Sequence, residues 1–368
     1  MNKLKERNIS LDILRIMAMF GIIGLHLMGQ GGILQTLEMN NARGYLMLTI
    51  YFIFYLSVDT FGIISGFLSW KKEKVKYKRI VELIFITFFY AFVITLIFYI
   101  FNLYNIRNLG NRIIIHSLFP SLIGRNWYIT CYILLFFLMP YLNFFINKIS
   151  RESYKKMLIV LFILLSILPN VFWLTDFFIV NNGYSPFWLI YCYLLGAYAG
   201  KYLSDLKIKK KHIITLICCI VGGVLGNALV RIITPMIYDH VMYDSWFLNY
   251  VSPFNVAASV LMVLLFNNIK INLNNKFLEK FVLYLSICSF SVYIIHSHYL
   301  VFDYVLPNMM YDYTQNRIYV LLGALLIGLI AIYLLCFIID LIRIQLFKLF
   351  RINKLIDYLG NKLNKKLD

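Results

Sequence analysis

Long apolar runs recur along the whole chain and are separated by short polar segments. A helix that crosses the hydrocarbon core of a bilayer needs about 20 mostly apolar residues. Ten segments of the sequence have this length and character, and the pattern therefore predicts ten membrane-spanning helices. They lie at about 11–30, 46–69, 80–101, 127–147, 157–175, 186–203, 212–234, 251–267, 281–301 and 318–342.

The composition agrees with this pattern. Of 368 residues, 61% are hydrophobic and 14% are charged, and the mean hydropathy is +0.76. A soluble globular domain carries about 25% charged residues. The sequence therefore predicts an all-α integral membrane protein. It excludes a soluble enzyme, a disordered chain and a nucleic-acid-binding module.

The distribution of positive charge predicts the orientation. The chain has 35 Lys and Arg against 17 Asp and Glu. If the N-terminus is cytoplasmic, 28 of the basic residues fall in inner segments and only 6 in outer ones, as the retention of positive charge on the cytoplasmic side requires. No small-residue cleavage site follows the first apolar segment, so we expect it to be retained as a helix.

We therefore expect a multi-pass protein of the plasma membrane with both termini in the cytoplasm. Residues 1–345 would form the ten-helix domain, and residues 346–368 a basic cytoplasmic tail. The basic loops are explained either as topology signals alone or as sites that bind a polyanion, and the sequence leaves both interpretations open.

The first predicted span contains three ionisable residues, Asp12, Arg15 and His26. Such groups are costly inside a membrane and are candidates for function. Eleven residues separate Arg15 from His26, which places them about 20° apart around a helix and about 16 Å apart along it. Asp12 is close enough to pair with Arg15. The alternative is that Asp12 and Arg15 anchor the helix at the interface and His26 is a packing residue.

A fixed cation near the cytoplasmic end and an imidazole deeper in the membrane suit one kind of substrate. That substrate is a donor with an anionic head and a long, thin arm that carries an acyl group. Histidine is the side chain best suited near neutral pH to take a proton from an alcohol, or to carry the acyl group itself.

Four stretches in the same order resemble the acyltransferase 3 family, the ten-helix membrane proteins that O-acylate, usually O-acetylate, cell-envelope saccharides. The resemblance extends from residue 9 to about residue 300 and is similar to the Gram-positive exopolysaccharide and capsule branch. The stretches are Ile9–Arg15 with His26, Val58–Leu68, Asn126–Ile129 with Pro140–Asn143, and Ser291–His298.

The resemblance implies that acetyl-CoA is the acyl donor, with no bound cofactor or metal, and that a saccharide hydroxyl is the acceptor. It implies catalysis by His26 and Arg15, supported by Asp12 and Asp59. Its expected donor site consists of Arg79, Lys78, Ser65 and Gly66, and its expected acceptor site of Trp127, Tyr128 and His296.

Several of these roles have an alternative. The family often places an Arg-x-x-Arg pair after its second helix, whereas here Arg79 is followed three residues later by Glu82, which could pair with it and weaken anion binding. Ser65 and Gly66 would line a donor channel or serve helix packing. Trp127 would contact a sugar ring or belong to an interfacial aromatic belt.

The remaining candidates concern buried polar groups. Asp59, in the middle of the second span, is expected to pair with a cation or an imidazole, or with some other buried group. His296 and His298 point about 200° apart on a helix, which argues against a shared metal. A transporter, a flippase or a polymerase for a lipid-linked saccharide is the alternative function, although the sequence lacks the internal repeats of many transporters.

Overall fold

The structure is a computed structural model. Every regular element that it describes is a helix. It describes residues 8–38, 41–108, 110–121, 124, 126–171, 178–238, 246–269, 271 and 273–367, and among these there is no β-strand. The α-helices are α1 (Ile9–Gly29), α2 (Ile33–Thr36), α3 (Ala42–Ser69), α4 (Lys78–Ile100), α5 (Asn111–Leu118), α6 (Trp127–Lys148), α7 (Arg151–Phe162), α8 (Leu168–Val171), α9 (Pro186–Tyr202), α10 (Lys210–Tyr238), α11 (Pro253–Asn268), α12 (Lys276–His296), α13 (Tyr311–Thr314), α14 (Ile318–Leu349) and α15 (Ile352–Leu367).

Seven of the described helices are long and apolar enough to cross a membrane, by length and composition. They are α1, α3, α4, α6, α10, α12 and α14. The chain is therefore an all-α integral membrane protein, as the sequence predicts. Their apolar side chains are widely exposed; on α14, Leu326, Ile327 and Leu335 are each more than half exposed, as expected of a surface that faces lipid.

The other three predicted spans coincide with shorter helices. The span predicted at 251–267 is α11, and the span at 186–203 is α9. The span at 157–175 begins within α7 and continues through a π-helical turn into α8, and its last residues lie outside the described part of the chain.

The chain divides into two compact units. The first unit contains Met1–Leu25, Glu38–Glu73 and Pro140–Ile287, and the second contains His26–Leu37, Lys74–Met139 and Cys288–Asp368. Three long helices, α1, α6 and α12, each contribute one part to each unit.

Close packing of α3 against α9 builds the centre of the first unit. A Cβ atom at Gly66 would overlap the carbonyl oxygen of Tyr193, and one at Gly196 would overlap that of Ile63. Small residues let two helix backbones approach closely where no hydrophobic effect drives association. Each helix carries two such glycines four residues apart, Gly62 and Gly66 on α3 and Gly196 and Gly200 on α9.

Candidate active site

The ion pair predicted near the start of α1 is present in the first unit. Arg15 Nη1 donates to Asp12 Oδ1 at 3.0 Å, and Ser286 Oγ of α12 donates to the same oxygen at 2.9 Å. Asp12 is buried, whereas 27% of the Arg15 side chain is exposed. The carboxylate lies in the first turn of α1, where the helix dipole also favours negative charge. It holds the guanidinium in place at the start of α1.

Asp59 is buried in the first unit among neutral hydrogen-bond donors. Trp188 Nε1 donates to Oδ1 at 2.9 Å, Asn255 Nδ2 to Oδ2 at 2.8 Å, and Cys192 Sγ to Oδ1 at 3.6 Å. The partners are thus an indole, an amide and a thiol, which agrees with the alternative that Asp59 pairs with some other buried group and not with a cation or an imidazole. They satisfy both carboxylate oxygens, as burial inside a membrane requires. The supporting role of Asp59 in catalysis stays a prediction.

His26 and His296 lie side by side in the second unit. Their ring centroids are 5.0 Å apart with the planes inclined at 47°, and Phe302 contacts His26 edge-on at 4.9 Å. His26 Nδ1 and His296 Nε2 are both buried without a hydrogen-bond partner among the described residues. Leaving such atoms unpaired costs about 1–3 kcal/mol each. Two of them in one place mark a position that suits a polar group of a substrate.

Backbone hydrogen bonds between the segments that follow α1 and α12 fix this arrangement. Asn308 N donates to Gln30 O at 3.1 Å, and Met310 N donates to Gly31 O at 2.8 Å. Gly32 has a φ of 94°, which only glycine adopts without strain, and Asn308 Oδ1 would lie 3.1 Å from a Cβ there. The two helix ends that carry the histidines are therefore tied together.

The hydrogen bond of His296 sets its tautomer. His296 Nδ1 lies 2.6 Å from the carbonyl oxygen of Val292, one turn earlier on α12. Because a carbonyl oxygen only accepts, Nδ1 must carry a proton. Neutral His296 therefore has its lone pair at Nε2, the nitrogen without a partner, where it can accept a proton.

His298 is occupied by structural contacts. Its Nε2 lies 3.1 Å from Ser117 O, and its Nδ1 accepts from Leu300 N at 3.3 Å. Both ring nitrogens are thus used by the backbone, and the residue is fully buried. The two histidines of the His-x-His stretch therefore differ, and only His296 lies beside His26.

A row of aromatic rings continues from His296 in the second unit. Tyr293 lies 6.2 Å from His296 between ring centroids, Tyr128 lies 6.1 Å from Tyr293, and Trp127 lies 5.7 Å from Tyr128. The structure thus brings the three predicted acceptor residues into one row. Tyr293 was not among the residues predicted for the acceptor site, although its position one turn before His296 would have indicated it.

The basic residues predicted for the donor lie at the start of α4, in the second unit. Lys78 Nζ forms an ion pair with Asp357 of α15 at 2.5 Å, and both side chains are about half exposed. Arg79 and Glu82 are exposed. Between these two described residues the ion pair that the spacing allows is not formed.

Ser65 and Gly66 differ in their contacts, and only that of Gly66 joins two helices. Ser65 Oγ donates to Phe61 O at 2.9 Å within α3, and Gly66 lies against the backbone of α9. Their assignment to a donor channel stays a prediction.

A buried ion pair in α14 was missed by the sequence analysis. Arg343 Nε donates to Asp340 Oδ1 at 2.6 Å, and Tyr90 Oη donates to the same oxygen at 2.6 Å. Asp340 and Arg343 have the three-residue spacing of the pair in α1, which is the signal that would have found them. Over the described ranges, no three His, Cys, Asp or Glu side chains are grouped so that they could hold a metal ion.

Comparison with protein families matches residues 8–341 to a family described as an acyltransferase domain. The chain belongs to the acyltransferase 3 family. The resemblance seen in the four sequence stretches is thereby confirmed, and this acyltransferase is a membrane enzyme. Comparisons with curated proteins and with solved structures each found no match. The match ends within α14 and leaves α15 outside it.

Proposed function

We propose that this acyltransferase moves an acetyl group from cytoplasmic acetyl-CoA to a hydroxyl of a cell-surface or lipid-linked saccharide at the plasma membrane. The observation that carries the proposal is the pair of histidines, His26 and His296, with a buried, unpartnered nitrogen on each ring. In an acyltransferase, a neutral imidazole nitrogen of this kind can accept the proton that the hydroxyl loses when it is acylated.

The transfer forms one ester bond and breaks one thioester bond. The hydroxyl oxygen attacks the thioester carbonyl carbon, the carbon–sulfur bond breaks, and CoA leaves as a thiol. In direct transfer, His26 takes the hydroxyl proton and passes it to the sulfur, an effect worth about 10²–10⁴-fold in rate. In two-step transfer, a ring nitrogen of His26 first takes the acetyl group, CoA leaves, and the hydroxyl then attacks the acyl-imidazole.

Arg15 is the proposed anchor for the donor's phosphates. Its guanidinium is held by Asp12, 27% of the side chain is exposed, and arginine pairs with phosphate through two parallel hydrogen bonds. α1 is one continuous helix from Ile9 to Gly29, so the 11-residue spacing separates Arg15 from His26 by about 16 Å along its axis. Arg79 and Lys78, at the start of α4, are the other residues that the family resemblance assigns to the donor.

The proposed acceptor site is the aromatic row that ends at His296. Trp127, Tyr128 and Tyr293 form a row of aromatic rings, and sugar rings pack against aromatic rings of this kind. His296 Nε2 would accept a hydrogen bond from the hydroxyl that is acetylated.

The test compares envelope polysaccharide from cells that express the wild type or His26→Ala at equal membrane levels. O-acetyl signals in proton NMR are expected with the wild type and absent with His26→Ala. His212→Ala is the matched control, because this histidine ring lies outside the proposed site and accepts a hydrogen bond from Lys209 N. Normal acetylation by His26→Ala would show that His26 is a packing residue and contradict the mechanism.

A second measurement separates an acyltransferase from a carrier of saccharides. Purified protein in proteoliposomes should release free CoA thiol over many turnovers only when acetyl-CoA and the saccharide acceptor are both present. With both substrates present, thiol release no higher than that of protein-free vesicles and no acetylated product would contradict the proposed function.

A further inference from the structure

We propose that α15 lies in the headgroup layer of the membrane and binds anionic lipid headgroups through four lysines. This helix is outside the residues matched by the acyltransferase family, and the proposed transfer reaction gives it no role.

The connection to α14 fixes one end of α15 at the membrane boundary. The apolar helix α14 ends at Leu349, and α15 begins at Ile352. Between them Arg351 has a φ of 57°, a left-handed conformation that breaks the helix. Leu349 and Phe350 are about 70% exposed, so the apolar surface of α14 extends to the break. α15 therefore starts at the depth where the membrane-spanning surface of α14 stops.

Contacts with α4 fix the same depth independently. Asp357 pairs with Lys78, Tyr77 N donates to Asn364 Oδ1 at 3.1 Å, and a Cβ at Gly360 would lie 2.6 Å from Lys78 Cα. These residues of α4 and its N-cap immediately precede its apolar run. Both neighbours thus place α15 at the edge of the membrane-spanning region.

The face of α15 that is turned away from α4 is apolar and basic. Leu355 is 46% exposed and Tyr358 is 62% exposed. The exposed lysines of this helix are Lys354, Lys362, Lys365 and Lys366. At 100° per residue, the side chains of these four lysines and of Leu355 and Tyr358 fall within an arc of about 120° around the helix. This arc is opposite Gly360 and the buried Ile356.

This combination fits a lipid surface that carries negative charge. A helix with an apolar stripe and lysines beside it lies in the membrane interface and binds anionic lipids. The lysine stems lie along apolar surface while their ammonium groups reach the headgroups. The one acidic residue of α15, Asp357, is neutralised by Lys78. Each lysine near such a surface adds about 1 kcal/mol, which is about fivefold in affinity.

The experiment uses the full-length protein in lipid nanodiscs. Cys218 and Cys219, which are not buried, are replaced by alanine, and an environment-sensitive fluorophore is attached to Tyr358→Cys. The nanodiscs contain phosphatidylcholine alone or phosphatidylcholine with phosphatidylglycerol, and quenching by brominated lipids measures how deeply the fluorophore is immersed. We expect stronger quenching with phosphatidylglycerol and a return to the phosphatidylcholine level at high salt.

Two variants separate lipid binding from a general effect of charge. Replacement of Lys354, Lys362, Lys365 and Lys366 by glutamine should reduce the phosphatidylglycerol-dependent quenching by about tenfold or more. The matched control replaces four exposed lysines of another basic segment, Lys207, Lys209, Lys210 and Lys211, and should change nothing. Equal quenching in both lipids, or an equal effect of both variants, would overturn the proposal. The salt dependence of the unmutated helix tests it even if the variants misfold.

Discussion

At the scale of single residues, the two ring nitrogens of His296 have different tasks. Nδ1 donates to Val292 O, and Nε2 has no partner among the described residues. His296→Asn keeps an amide donor near the position of Nδ1 and removes the group at Nε2. We expect turnover to fall about 10²-fold with the KM for acetyl-CoA unchanged, measured as thiol release in proteoliposomes.

His298 is the control for that substitution. Its ring nitrogens are both bonded to the backbone, so His298→Ala should lower stability by about 1–3 kcal/mol for each group left unpaired. Turnover per folded molecule should change little. If His296→Asn kept full turnover, the ring would be a packing residue and Nε2 would have no part in proton transfer.

Arg15 allows a second prediction at this scale. Arg15→Lys keeps the positive charge but loses the planar fork that matches phosphate. A hydrogen bond to a charged group is worth about 1.5–3 kcal/mol, so the KM for acetyl-CoA should rise by about tenfold or more while turnover stays within about twofold. Initial rates against acetyl-CoA concentration measure both constants.

A change in turnover without a change in KM would contradict the assignment of Arg15 to donor binding. A fall in turnover at constant KM would mean that the guanidinium acts only in the transition state. Lys74→Gln is a useful control, because it removes one exposed basic side chain from the loop that precedes α4.

At the scale of helices, the α3–α9 pair makes the sharpest prediction. Gly66→Ala or Gly196→Ala forces a methyl group against the backbone of the opposite helix. Overpacking of this kind costs about 1–3 kcal/mol. Each variant should lower the Tm of the detergent-solubilised protein, measured by intrinsic fluorescence.

Gly323→Ala is the matched control in α14. A Cβ at Gly323 meets no heavy atom within 4 Å, and alanine favours a helix over glycine by about 1 kcal/mol. The control should therefore leave the Tm unchanged or raise it. An equal loss of stability at Gly66 and Gly323 would show that close packing of α3 against α9 does not account for the effect.

Contacts within one helix could be predicted from the sequence, whereas contacts between helices could not. The Asp12–Arg15 pair could be predicted because three residues along a helix fix the distance between the two side chains. The contact of His26 with His296 could not, because 270 residues separate them and only tertiary packing joins their helix ends. For the same reason, the partners of Asp59 on α9 and α11 were beyond what local spacing could predict.

At the scale of the whole molecule, the long helices could be predicted because the thickness of a bilayer fixes the length of an apolar run. The predicted segments therefore coincide with α1, α3, α4, α6, α10, α12 and α14. α9 and α11 are shorter, with 17 and 16 residues, and a π-helical turn lies between α7 and α8. Hydropathy alone does not decide whether these shorter elements cross the bilayer.

The sides of the membrane on which the two termini lie test the number of crossings by parity. Seven or nine crossings would put the termini on opposite sides of the membrane, whereas eight or ten put them on the same side. The excess of basic residues in alternate segments favours ten, with both ends in the cytoplasm. Single cysteines introduced after the first residue and after Asp368, in a background without the six native cysteines, should both be protected from a membrane-impermeant maleimide in intact cells.

Two reference positions make the measurement quantitative. A cysteine at Lys209, in a predicted inner segment, should be protected like the termini, and one at Arg107, in a predicted outer segment, should react in intact cells. Both side chains are exposed, so their labelling reports the side of the membrane and not burial. Protection of one terminus and reaction of the other would require an odd number of crossings and would contradict the ten-helix topology.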